Sequence, residues 1–360
     1  MPVKFKKTLI SEHRYEAAAI FDVNGDGVLD IVSGAYWYEG PDFKKRHTIG
    51  NVREENEYYD DFSTIPMDVN GDGRMDFITG GWWGNVIHWR ENPGNDDEWP
   101  DHNIIEWGNV ETTRAWDVDG DGQLEIVPNT PNSPLIVCKL ITDDAGKGTG
   151  EFSIHTIYKE NQGHGLGFGD INGNGRGDFI LYNGWLEAPE EPFSGEWVFH
   201  PDFDLGRASI PILVVDVNGD GLNDIIVGQS HVYGLDWWEQ RMSDSGERTW
   251  IKHPIDPFNA QYHDMQWVDI DNDGECELVT GKRYRAHNGN DMGSSDDLGI
   301  YYFKWNGESF SKQVIDYGPL GVGAGCGIHF AIADLNGNGL LDIVAPGKDG
   351  LHIFENLGQD

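Results

Sequence analysis

One acidic phrase, Asp-x-[Asn/Asp]-[Gly/Asn]-[Asn/Asp]-Gly-x-x-[Asp/Glu], stands seven times in this chain, starting at Asp22, Asp68, Asp117, Asp170, Asp216, Asp269 and Asp334. Successive starts are 46, 49, 53, 46, 53 and 65 residues apart. A short apolar run follows each phrase, such as Ile225-Ile226-Val227 after Asp224, and another usually precedes it, such as Ile212-Leu213-Val214-Val215. Each phrase is therefore expected to be the turn of a β-hairpin. Short strands repeating at a period of about 45 to 50 residues, with no helical pattern between them, specify a β-propeller with four strands per blade.

The repeats run from end to end of 360 residues, so the chain is expected to be one all-β domain, residues 1–360, built as a seven-bladed propeller. A second element recurs between the hairpins: an alternating strand with an aromatic near its start, as in 43–49, 152–157, 250–255 and 310–315. It reads as the half-exposed outer strand of a blade. The same pattern at 3–10 lies at the opposite end of the chain from the final hairpin, 326–356. The last blade is therefore expected to be closed by the N-terminal strand, which removes an open edge.

Sixty-two acidic residues against 25 Lys and Arg give a net charge of −37, which excludes a nucleic-acid or anionic-membrane surface. Cys138, Cys276 and Cys326 cannot form a disulfide framework at this size. Met1–Ile10 has no apolar core of an export signal, and no 18-residue apolar run occurs. As it stands the chain is expected to be cytoplasmic, or periplasmic or extracellular if a leader has been removed.

Oxygens at positions 1, 3 and 5 of the phrase with an acid at position 9 can wrap a hard cation, and Gly at position 6 permits the turn between them. Calcium is the expected occupant. The sets are Asp22, Asn24, Asp26 and Asp30; Asp68, Asn70, Asp72 and Asp76; Asp117, Asp119, Asp121 and Glu125; Asp170, Asn172, Asn174 and Asp178; Asp216, Asn218, Asp220 and Asp224; Asp269, Asp271, Asp273 and Glu277; and Asp334, Asn336, Asn338 and Asp342. Plain Asx turns that need no ion are the competing reading. It is strongest at Asp170 and Asp334, whose loops replace two carboxylates with Asn.

In phrase and blade context the chain resembles the FG-GAP or VCBS repeat family of seven-bladed propellers, whose members include adhesion modules, lectins and lyases. With the segment Gly80-Gly81-Trp82-Trp83-Gly84 it is also similar to the propeller domain of aldos-2-ulose dehydratase-type lyases. That likeness implies elimination of water from a keto-sugar with help from a divalent metal.

If the acidic turn joins the innermost strand to the next, both strands meet the far mouth of the ring at their other ends. Seven residues past each closing acid stand Trp37, Trp83, Asn132, Trp185, His231, Tyr284 and Asp349. Such an aromatic set can stack on the C–H faces of a sugar, or simply pack between blades. Trp82, one residue off, is expected to face a neighbouring blade. Six residues before each loop stand Glu16, Phe62, Glu111, His164, Ile210, His263 and Ile328, with His329 one step later. His164, His231, His263 and His329 are thus candidate ligands of a second divalent metal such as Zn2+, Mg2+ or Mn2+. His47, His102, His155, His200 and His253 fall in outer strands and are expected to be packing residues.

The expected function is a carbohydrate-active lyase on a keto or otherwise oxidised sugar. Its candidate catalytic residues are His164, His263 and Tyr284, and its substrate contacts Trp37, Trp83, Trp185, Arg283 and Arg285. Two alternatives stay open: a calcium-stabilised carbohydrate-binding or adhesion propeller without turnover, and a polysaccharide lyase that directs Arg283 and Arg285 at a uronate. In each the partner is a mono- or oligosaccharide.

Overall fold

A computed structural model describes residues 3–359; Met1, Pro2 and Asp360, which the single-domain reading includes, lie outside the described residues. Seven four-stranded antiparallel sheets form the ring of a β-propeller. Blade one runs outward through Ala19–Phe21, Asp30–Ser33, Tyr36–Glu39 and Lys45–Thr48, and the other blades repeat that order. Blade seven contributes Ala331–Ala333, Asp342–Ala345 and Leu351–Asn356, and Phe5–Ser11 completes it from the N-terminal side. Phe5 faces Asn356 and Leu9 faces His352 in that closing pair.

The phrase folds as a hairpin turn because its polar side chains supply acceptors for the turn's own N–H groups. In blade five, Asp216 accepts from the amides of Gly219, Asp220 and Gly221 at 2.8, 3.2 and 2.9 Å. Gly219 and Gly221 have φ of 74° and 85°, the left-handed region where a Cβ is strained, which is why Gly recurs there.

The second strand of each blade is buried on both faces and reads as a continuous apolar run. Ile31, Ile78, Ile126, Ile180, Ile225, Leu278 and Ile343, each one or two residues after a closing acid, have no exposed surface. Burying one such side chain contributes about 1.5–3 kcal/mol. Neighbouring blades share these cores: Val118, Val127 and Leu135 of blade three pack with Phe179, Leu181 and Leu186 of blade four.

At the axis, Arg114 of the inner strand Thr112–Trp116 donates to the carbonyls of Ile210 and Ile328 and to Asp264 Oδ1, the last at 2.8 Å. One guanidinium thus ties blades three, five, six and seven together at the ring centre. Two features have no counterpart in the repeat: a small ribbon, Glu54–Glu55 with Tyr58–Tyr59, and a turn at Ala286–Gly289. Both lie in polar insertions without periodicity, so no pattern announces them.

Candidate metal centre

Three histidines and one glutamate converge at the mouth opposite the acidic turns. Glu111 and His164 stand just before the inner strands Thr112–Trp116 and Leu166–Gly169, and His263 lies in the inner strand Tyr262–Val268. His231 follows the second strand Asp224–Gly228. Register-equivalent positions of blades three, four and six thus meet at one point with a residue that follows the second strand of blade five. His263 Nε2 lies 3.0 Å from Glu111 Oε1, and His164 Nε2 lies 3.5 Å from it. One ligand atom from each of the four residues lies within 4.8 Å of all the others. Donors surrounding a single ion at about 2.0–2.2 Å have this spread.

The tautomers follow from the partners. His164 Nδ1 donates to the Ala208 carbonyl at 2.9 Å, and His231 Nδ1 donates to Asp291 at 2.7 Å. Neither acceptor carries a hydrogen to give. The two Nε2 atoms are then bare lone pairs, and they face each other at 3.0 Å. Only a shared proton or a cation can reconcile them. Burial, with His164 beside it, pushes His231 down to about 4, which disfavours the proton at neutral pH. His263 Nδ1 is buried with no hydrogen-bond partner among the described residues, and burial holds that ring well below the usual imidazole range. Burial alone would raise Glu111, but His164 and His263 beside it hold it well below the usual carboxylate range. Neutral His231 and His263 beside an ionised Glu111 are protonation states that suit a first-row divalent metal. Asp291 orients His231 from behind, as acceptors behind metal-bound imidazoles do.

Beside this group lies a cavity of about 290 Å³ lined by Tyr58, Phe62, Trp82, Trp83, Glu111, Arg283, His287 and Asn288. Its indole wall is fixed through the backbone. Asp60 accepts from the amides of Trp83 and Gly84 at 3.0 and 2.6 Å, and Asn109 donates to the Trp82 carbonyl at 2.6 Å. A Cβ on Gly81 would sit 2.2 Å from Asp60, so the turn requires glycine. The opposite wall is strained: Arg285, His287 and Asn288 all have left-handed φ, between 47° and 56°. His287 stacks on His231 with ring centroids 4.6 Å apart and donates from Nδ1 to Asp291 at 2.9 Å.

The structure brings His164, His231 and His263 together but places His329 elsewhere. His329 sits a step further in, Nδ1 3.3 Å from the Ala18 carbonyl, because its register differs by one from the other inner-strand positions. Trp83 lines the cavity, and so does Trp82, which was expected to face a blade. Trp37 and Trp185 do not reach it; they stack on His47 and His200 at 3.8 and 4.3 Å between strands of their own blades. Tyr284 is not among the cavity's lining residues. Arg283 lines the cavity, but Glu16 takes its Nε at 2.8 Å and its Nη2 at 3.2 Å. Arg285 is clasped by Glu57 at 2.9 and 2.6 Å. Sequence reasoning assigned no role to Glu111, although its register was the same as that of His164 and His263. Asp291 and Asp60 lie in the insertions and carry no repeat signal.

In the acidic turns the closing acids spend their oxygens on the sheet. Asp30 accepts from the amides of Val23 and Gly40 at 2.9 and 2.8 Å, and Asp178 from those of Ile171 and Ala188 at 3.0 and 2.9 Å. Position 9 thus fastens the hairpin to the third strand as well as facing the loop.

Residues 216–280 match the FG-GAP-like repeat. A comparison with curated proteins gives no match. Among solved structures, the chain is similar to BBS1N in complex with ARL6DN, soaked with lead: TM-score 0.54 and 9% identity over 99% of this chain and 97% of that one. The crystal soaked with mercury gives 0.52 and 10% over 99% and 98%. The Vibrio cholerae (V. cholerae) biofilm matrix protein Bap1 aligns at a TM-score of 0.35 and 15% identity over 86% of this chain and 42% of that one. At these identities the BBS1N likeness is one of fold alone. The chain is a seven-bladed propeller carrying FG-GAP repeats.

Proposed function

We propose that this propeller is a metal-dependent carbon–oxygen lyase acting on a keto or otherwise oxidised sugar. The observation that supports a metal here is the pair of facing Nε2 lone pairs of His164 and His231, closed by Glu111 and His263. When bound, a divalent ion such as Zn2+ or Mn2+ supplies Lewis acidity to a carbonyl oxygen and so acidifies the neighbouring C–H. Trp82, Trp83, Tyr58 and Phe62 offer the apolar surface on which a sugar ring stacks. With three imidazoles committed to the ion, the proton falls to His287. Its Nδ1–H is held by Asp291, which leaves Nε2 to accept the α-proton; the C–O bond on the next carbon then breaks, and His287 returns that proton to the departing oxygen, which leaves as water. Arg283, neutralised by Glu16, shapes the cavity beside Glu111. Calcium in the acidic turns on the far face is proposed as a structural element only.

The test is incubation of the metal-loaded protein with keto-sugars and with their alcohol counterparts, following enone absorbance. Turnover of keto-sugars alone is expected, lost in His287→Gln without loss of metal. Stoichiometric sugar binding with no product from any substrate would instead support the non-catalytic carbohydrate-binding reading.

A further inference from the structure

The seven acidic turns fall into two chemical classes. In five, position 3 is Asn, the closing acid is Asp, and the residue facing that acid across the third strand is Glu39, Glu91, Glu187, Glu239 or Glu355. In the turns of blades three and six, position 3 is Asp119 or Asp271, the closing acid is Glu125 or Glu277, and the facing residue is Lys139 or Lys304. All three positions change together, in both blades.

The side chains explain the linkage. Lys139 Nζ reaches Asp119, Asp121 and Glu125 at 2.7, 2.7 and 3.0 Å. Lys304 Nζ reaches Asp271 at 2.7 Å and Glu277 at 3.1 Å, and also Asp273. Each ammonium thus stands among the oxygens at positions 3, 5 and 9. The longer Glu and the extra Asp carboxylate make that three-fold contact. In the other class an Asn amide donates to the facing Glu instead, as Asn218 does to Glu239 at 3.1 Å.

We propose that Lys139 and Lys304 are built-in cations, tethered substitutes for a divalent ion, which make the turns of blades three and six independent of calcium. The placement gives this a consequence. The inner strands ending in these two turns are the ones that carry Glu111 and His263 at the opposite mouth, where the two residues meet at 3.0 Å. A fall in calcium would then leave the Glu111–His263 pair of the mouth in place. This second step rests on the metal-centre reading above; the first does not.

Amine acylation of the intact protein, read by mass spectrometry with and without millimolar calcium, tests the first step. Lys139 and Lys304 are expected to react at least about tenfold more slowly than Lys44, whose side chain is 82% exposed, because each is held by three carboxylates and less than a third exposed. Calcium is expected to change neither rate. Calcium that speeds both to the rate of Lys44 would show displacement of the amines and overturn the proposal. For the second step, Zn2+ or Mn2+ is titrated into calcium-depleted wild type and Lys139→Met/Lys304→Met. Wild-type affinity is expected to change less than about twofold when calcium is added, while the variant binds about tenfold more weakly until calcium restores it. Wild-type affinity that collapses without calcium would contradict it. If the mouth takes no metal in any form, the metal-centre reading fails and the acylation result still decides the lysines.

Discussion

His164 and His231 bring their Nε2 atoms to 3.0 Å of each other while each ring's Nδ1 is held by an acceptor, the Ala208 carbonyl in one case and Asp291 in the other. Two lone pairs at that distance repel unless a positive charge lies between them. The same carboxylate that orients His231 also holds His287, the imidazole that faces the cavity. His164, His231, Asp291 and His287 are therefore one hydrogen-bonded unit spanning blades four, five and six.

Trp83→Ala is expected to weaken sugar binding about tenfold, since stacking on an aromatic face is worth about 0.5–1.5 kcal/mol beyond area. Metal affinity should stay within twofold, because no ligand touches the indole. Calorimetric titration of the metal and of the sugar checks both. Equal loss of the two would place Trp83 in the scaffold.

Arg114→Met leaves Asp264 buried without its cation and is expected to cost about 3–5 kcal/mol in urea unfolding. The Asp264 carboxyl is already pushed up to about 6 by burial, against the pull of Arg114. Arg114→Met/Asp264→Leu, which removes both charges, should recover at least half of the loss. A single variant as stable as wild type would show that the axis does not depend on this pair.

Acid should destabilise the fold through its enclosed histidines. His329 keeps a little surface in the narrow channel but is surrounded by protein, and burial, aided by Arg114, pushes it down to about 3. Its folded pKa lies below the unfolded value of about 6.5, so the unfolded chain binds the extra proton across that window. Its contribution is complete above about pH 6.5 and is lost as pH falls toward 3, at up to about 1.4 kcal/mol per pH unit. The stability gap between wild type and His329→Asn should therefore narrow from pH 7 to pH 4. A gap that stays constant would mean that His329 titrates normally in the fold.

The seven-bladed ring was legible because one turn chemistry recurs and because Phe5 to Ile10 repeats the outer-strand pattern at the wrong end of the chain. Counting from the turns also brought His164, His231 and His263 to one mouth, since register within a blade fixes which end of a strand a residue occupies. It misplaced Trp37 and Trp185, because a position at the mouth does not determine whether an indole turns into the channel or onto a histidine of its own blade. Asp291 and His287 were beyond reach: they sit in an insertion whose left-handed residues follow no period. Arg283 was read as a free cation because its partner Glu16 is 267 positions away.

Metal analysis of protein dialysed against excess calcium tests the central claim most directly. One equivalent of Zn, Mn, Fe or Ni per chain should remain in wild type and be absent from a folded Glu111→Gln/His263→Ala variant. Wild type that retains only calcium, or a variant that keeps the same equivalent, would contradict a metal centre formed by Glu111, His164, His231 and His263.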